Sequence, residues 1–151
     1  MASCDNFKIT VHGVSTHGSM PHLGKDAILA TAAIQVLQTI PSRINDPFNS
    51  LVVSVGMFHG GTKENIIADE AELVGTVRTF NRKFRNGMPE LIKKVVGPTV
   101  EGYVCTADFD YYFGPSPLIN DNEKLVKTAR RAAAEGMGGG QADPVKEDDR
   151  G

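Results

Sequence analysis

Residues 51–80, LVVSVGMFHGGTKENIIADEAELVGTVRTF, read as two strands joined by a hairpin, and the rest of the chain arranges itself around that pair. In the first half Leu51, Val53, Val55 and Met57 fall at every second position, Val52 and Phe58 add apolar bulk, and Gly60-Gly61 close the segment. In the second half, residues 71–80, Leu73, Gly75, Val77 and Thr79 face one way, the period of two expected when a strand buries one side. The connection GGTKENIIAD has the length of a hairpin turn with an irregular tip.

Upstream, Phe7, Ile9 and Val11 alternate with Lys8, Thr10 and His12 to predict another strand, which Gly13 ends. After a loop over residues 14–24, apolar residues recur at helical spacing from 26 to 40, and Pro41 is expected to stop that helix. Downstream, residues 82–101 predict a helix with Leu91, Ile92, Val95 and Val96 as its apolar stripe, weakened by Gly87, Pro89, Gly97 and Pro98. Residues 103–113 alternate as a fourth strand, and residues 123–135 form a short charged helix after the Pro-rich turn GPSPLIND. The order β-α-β-β-α-β plus one helix predicts an α+β, ferredoxin-like sandwich: a four-stranded antiparallel sheet with two helices on one face. The stretch from residue 136 to 151, with Met137 and Val145 as its large apolar residues, is expected to be a disordered tail.

Composition narrows the partners. The 151 residues carry 16 Lys+Arg against 18 Asp+Glu, a formal charge of −2, so no whole-chain field attracts nucleic acid or an anionic membrane. An RNA-binding sheet, which uses the same element order, would need paired aromatics in a basic strand that are lacking here. The longest apolar stretch, residues 27–40, is interrupted by Thr31, Gln35 and Gln38 and falls short of the roughly 20 residues needed to span a bilayer. Residues 1–11 lack the pattern of a secretory signal, and Cys4 and Cys105 show no zinc-ligand spacing, so two reduced thiols in the cytoplasm are expected.

Three of the four histidines crowd into residues 12–22, HGVSTHGSMPH, with no Asp or Glu inside the segment to complete a metal-ligand set. Spacing alone leaves open a substrate-contacting histidine, hydrogen-bonded loop histidines, or part of a metal site. Ser and His also meet in STHGS, but no third residue can be assigned to orient the histidine as a serine hydrolase requires. Asn65 in the hairpin tip and Arg78 on the strand leaving it would not be singled out by spacing.

Taken together, MASCDNFKITVHG, THGSMPHLGKDAI, LQTIPSRINDP, VVSVGMFHGGTKENIIADEAELVGTVRTFN and FGPSPLINDNE resemble the dimerisation, or lid, domain of di-zinc aminoacylases and carboxypeptidases. The resemblance is to the N-acyl-amino-acid amidohydrolase branch, with hippurate hydrolase and the hydrolases of auxin–amino-acid conjugates. It covers residues 1–135 in the family's order and stops there, and it implies that Met1 is an internal methionine of a longer chain. It divides the chain into a lid domain over residues 1–120, a helix over 121–135 leading back toward an absent catalytic domain, and the tail over 136–151.

The family's metal ligands and general-base glutamate lie in that other domain, so the resemblance implies no metal site in this chain and two zinc ions in the full enzyme. It also implies a homodimer through the lid, an N-acyl amino acid or peptide as substrate, and no hydrolysis by this chain alone. Carried over by motif, His17 stabilises the oxyanion of the tetrahedral intermediate, commonly in the opposite subunit, Asn65 contacts substrate, and Arg78 pairs with its carboxylate. Gly61 and His22 belong to the same substrate-side loops. One departure is the hairpin tip, where the family usually has Asn-Val-Ile-Pro-Asp and this chain has Asn65-Ile66-Ile67-Ala68-Asp69, without the stiffening proline. The competing reading is a stand-alone ferredoxin-like ligand-binding or oligomerisation module, which fold alone does not exclude. The strand over residues 51–60, with the first helix, is expected to form the two-fold contact.

Overall fold

The computed structural model describes residues 1–136. Within them, in chain order, stand β1 (Asp5–His12), β2 (Thr16–His17), α1 (Ala27–Ile34), α2 (Ile40–Arg43), β3 (Leu51–Gly60), β4 (Ile66–Ile67), β5 (Glu70–Thr79), α3 (Arg82–Gly102), β6 (Thr106–Tyr112) and α4 (Glu123–Gly136). Two compact units divide at Pro117/Leu118. The first holds an antiparallel sheet in the order β3-β5-β1-β6, the ferredoxin-like arrangement the element order predicts. The second contains α4, whose first turn is capped by Asn122 Oδ1 accepting from Leu125 N at 3.0 Å. The expected tail lies outside the described residues, apart from Gly136, which ends α4.

Period-two burial builds one side of the core. Phe7, Ile9 and Val11 from β1, Leu73 and Val77 from β5, and Leu51 and Val53 from β3 all point to one face. Against that face α1 sets Ala27, Ala30 and Ile34, and α3 sets Met88, Ile92, Val96 and Val100, one residue every four. At the centre Gly75 pairs with Phe7, and the ring fills the space a Cβ would take, with its Cζ 2.2 Å from that position. A side chain at residue 75 would displace the core ring itself.

Four places test the sequence reading. First, Pro41 does not stop the first helix. The path continues from α1 through a 3₁₀ turn, Gln35–Thr39, into α2, where Pro41 occupies the first turn and its missing N–H costs no hydrogen bond. Second, the helix predicted over residues 82–101 forms: α3 runs unbroken past Pro89 and Pro98, because its buried stripe outweighs local propensity. Asn81 caps it, Oδ1 accepting from Phe84 N at 2.9 Å. Third, the last strand begins at Thr106, not at residue 103. Tyr103 N and Cys105 N both donate to Val100 O at 3.0 Å, and Val104 turns the chain with φ +59°.

Fourth, β3 carries a bulge between Val55 and Met57, so that Val55 faces Gly75 while Met57 faces Val74. The extra residue reverses the phase of the alternation: Met57 leaves the core face it was expected to share with Val53. Beyond Val55 this edge strand is exposed through to Gly60.

Where β1 begins, the sheet is closed by a buried ion pair that nothing in the sequence marks. Arg85 Nε and Nη2 donate to the Asp5 carboxylate, the shortest contact being 2.7 Å, and Nη2 also donates to Gly114 O at 2.6 Å. Asp5 accepts further bonds from Tyr111 Oη at 3.1 Å and Gly114 N at 3.0 Å. Phe113 covers the guanidinium, whose Cζ lies 5.1 Å from the ring centroid. Every oxygen of the buried carboxylate is thus answered, and β1, α3 and the end of β6 are tied together.

Candidate functional site

The histidine-bearing loop is anchored at the opposite end of the sheet by main-chain bonds. Gly13 N donates to Asp69 O at 2.7 Å, Val14 and Lys25 exchange two bonds at 2.9 Å, and Ala27 N donates to Ala68 O at 3.1 Å. Between these anchors β2 pairs with β4, Thr16 opposite Ile67 and His17 opposite Ile66, and Gly18 N donates to Asn65 O at 2.7 Å. The ladder therefore sets His17 beside Asn65, although they are far apart in sequence. A Cβ at Gly18 would lie 3.1 Å from Asn65 O, a tight approach that the hairpin tip would have to relieve by a few tenths of an ångström.

Directly after β2 the chain turns: Met20 N donates to His17 O at 2.8 Å, closing a β-turn over residues 17–20. The turn folds Ser19 back onto the imidazole, with Ser19 N donating to His17 Nδ1 at 3.1 Å and Ser19 Oγ lying 2.8 Å from the same atom. His17, Ser19 and Asn65 are exposed. Among the described residues no carboxylate meets His17, so the Ser–His pair lacks the third member of a hydrolytic triad.

Gly61 and His22 lie at the same end of the sheet. Gly61 follows β3 with φ +78°, the left-handed region that favours glycine, and His22 sits in a 3₁₀ turn, Pro21–Leu23. Beside Gly61 the surface opens into a cleft of about 690 Å³ lined by His12, His59, Thr62, Asp69 and Glu70 among others. His12 does not join His17. It stands on β1 with Nε2 3.0 Å from Asp108 Oδ2 and Nδ1 3.6 Å from Glu70 Oε2, so the sequence cluster of three histidines is divided. Among the described residues no group of three or more His, Cys, Asp or Glu side chains could hold a metal ion, so the donor set does not fit a metal centre.

Arg78 is the outlier. It lies on β5 opposite Val52, on the face away from the helices, exposed and without an ion-pair partner among the described residues. Glu70, where β5 leaves the Asn65 tip, is eight residues away, roughly 25 Å at about 3.3 Å per residue. The structure thus brings His17, Asn65, Gly61 and His22 to one end and leaves Arg78 at the other.

Sequence reasoning missed two polar contacts. Ser19 could have been found, because a histidine two residues before a serine in a glycine turn can accept from its amide as Asx residues do. Arg85 could not, since its partners Asp5, Gly114 and Ser116 are distant in the chain.

An α+β domain with an open edge strand and a main-chain-anchored histidine turn defines the structural class. Residues 4–99 match the model of the peptidase dimerisation domain, and the chain belongs to that family. It is 37% identical over 134 residues to an N-acetyl-L-cysteine deacetylase of Bacillus subtilis (strain 168), covering 88% of this chain and 32% of that one. It is 39% identical over 124 residues to an N-acyl-L-amino acid amidohydrolase of Geobacillus stearothermophilus, covering 82% and 34%.

Among solved structures it is similar to the YXEP protein of Bacillus subtilis, a dinuclear metal binding peptidase from the M20 family. The TM-score is 0.69 at 30% identity, over 90% of this chain and 33% of that one. Aminopeptidase PepT of Bacillus cereus ATCC 10987, at 22% identity and a TM-score of 0.76 over 91% and 36%, shares the fold. The chain spans about a third of the length of the relatives it matches. Among the described residues no helix is long and apolar enough to cross a membrane.

Proposed function

We propose that this chain is the dimerising and substrate-contacting lid of a zinc-dependent amidohydrolase or carboxypeptidase that cleaves N-acyl amino acids or small peptides. Residues 1–120 form the lid and residues 121–135 lead back toward a catalytic domain. The metal ions and the attacking water belong to that domain, and this chain alone hydrolyses nothing. His17 donates from Nε2 to the oxyanion, Asn65 contacts the substrate, and Arg78 offers its planar fork to the carboxylate. Gly61 and His22 shape the loops on the substrate side. The enzyme works in the cytoplasm, in keeping with two free thiols.

The observation that carries this reading is the placement of His17 and Asn65 at one end of the sheet and Arg78 at the other. A single lid cannot lay both ends on one small substrate. Two lids can, if their exposed β3 edges pair antiparallel about a two-fold axis. Such pairing sets the Leu51 end of one lid, where Arg78 stands, beside the Gly60 end of its partner, near His17 and Asn65. Exposed apolar residues on β3 (Val52, Met57, Phe58) and on α1 (Ile28, Leu29) supply the surface for it. Val53, on the same strand, is 6% exposed and belongs to the core, so it does not report on this contact.

The test is a zinc-dependent hydrolysis assay on N-acetyl amino acids and hippurate, run on the full-length enzyme, on its single variants and on this chain. His17→Ala should lower kcat by about 10²–10³, the loss typical of one oxyanion donor. Mixing His17→Ala with Arg78→Ala protomers should restore roughly a quarter of wild-type activity, because half the dimers are hybrids with one intact site each. No recovery would place both residues in one subunit's site, and hydrolysis by this chain alone would overturn the reading. Leu29→Glu with Met57→Lys should yield a monomer by analytical ultracentrifugation.

A further inference from the structure

We infer that Ser19 is a positioning residue that holds the His17 imidazole in its Nε2–H tautomer, a role that rests on the proposed use of His17 as an oxyanion donor. Of the groups in this contact, the Ser19 amide alone has a fixed role. A backbone N–H can donate and cannot accept, and Ser19 N points at His17 Nδ1 from 3.1 Å. Nδ1 must therefore present its lone pair, and the proton of the neutral ring sits on Nε2. The Ser19 hydroxyl, 2.8 Å from the same nitrogen, then acts as a second donor, because an unprotonated Nδ1 leaves it nothing to accept.

The backbone around the ring keeps this geometry in place. Met20 N to His17 O closes the turn, and Gly18 N to Asn65 O fastens its first corner to the hairpin tip. Ser19 is thus carried on a segment held at both of its neighbours, so its two donors approach a defined side of the ring. The consequence is directional. Nε2 lies across the ring from Nδ1 and is left as a donor aimed away from the turn, the form an oxyanion needs. The opposite tautomer would present a lone pair to developing negative charge.

Nitrogen-15 NMR of the imidazole in the intact 151-residue chain tests this, because Nδ1 and Nε2 shifts report the tautomer directly. Wild type should be dominated by Nε2–H and show a scalar coupling across the hydrogen bond between Ser19 N and His17 Nδ1. Ser19→Ala should lower the ratio of Nε2–H to Nδ1–H roughly 2- to 10-fold, the worth of one hydrogen bond, and Ser19→Thr should restore it. An unchanged ratio in Ser19→Ala, or a wild-type ring protonated at Nδ1, would overturn the inference. Because Ser19 is exposed and Ala keeps the amide, the variant should fold, and a matching amide spectrum checks this.

In the full-length enzyme Ser19→Ala should lower kcat in proportion to the fraction of Nε2–H tautomer lost, with KM unchanged, and Thr should rescue it. A shifted tautomer ratio with full activity in both Ser19→Ala and His17→Ala would uphold the positioning role and overturn the oxyanion reading instead.

Discussion

The two ends of the sheet treat polar side chains in opposite ways. Where β1 begins, Asp5 and Arg85 are buried, and every bond they make points inward to α3, β6 and the segment after it. Where β1 ends, His17, Ser19 and Asn65 are exposed on a segment whose main chain is bonded and whose polar side chains are open to solvent. The first end spends its polar groups on holding the fold. The second leaves them exposed. Two arginines make the contrast plain: Arg85 is locked in a carboxylate, and Arg78, on the open face of β5, has no ion-pair partner among the described residues.

That contrast can be broken most forcefully at the buried end. Arg85→Met should destabilise the chain by about 3–5 kcal/mol, since it leaves the Asp5 carboxylate buried without its cation. Denaturant titration reads this, and adding Asp5→Leu should recover much of the loss; a cost below about 1 kcal/mol would mean the pair contributes little.

At the loop end the largest effect should be a gain. Val104 is β-branched, exposed and held at φ +59°, so Val104→Gly should stabilise the fold by about 1 kcal/mol, seen as a higher Tm. His17→Ala, Asn65→Ala and Arg78→Ala should each move stability by less than about 0.5 kcal/mol in the same titration. A larger loss from any of the three would reassign that residue to the fold.

The smallest effect is a slope with pH. Burial, and then the neighbouring Asp5 carboxylate, push the Tyr111 phenol up. The unfolded chain therefore ionises first: the contribution is intact below the ordinary phenol value of about 10 and is lost as pH rises above it. Tyr111→Phe should remove that part of the decline, and identical slopes in both proteins would show that the phenol does not couple to folding.

Much of the fold was legible because alternation and helical spacing are local consequences of burial. Phe7, Ile9 and Val11, or Leu73, Gly75 and Val77, announce one buried face without reference to their partners. The bulge at β3 was not legible, because an extra residue in a run of apolar side chains leaves no mark until the partner strand sets the register. Pro41 misled for a related reason, as it is tolerated by surroundings that its neighbours in sequence do not specify. The site residues became visible through family resemblance, and their roles as catalytic and binding groups remain part of the proposal. Spacing alone suggested one cluster of histidines, and the fold divides it into His12 on the sheet and His17 in the loop.

By itself the sequence determined the order of the strands and helices, the core face of β1 and β5, and the balance of charge. These depend on which neighbours each residue has along the chain. Only the tertiary structure decided that His17 meets Asn65 and Ser19, that Arg85 closes on Asp5, and that Arg78 stands at the far end. Those relations are set by strand pairing and by the directions of side chains, which bring together residues that the chain itself keeps apart.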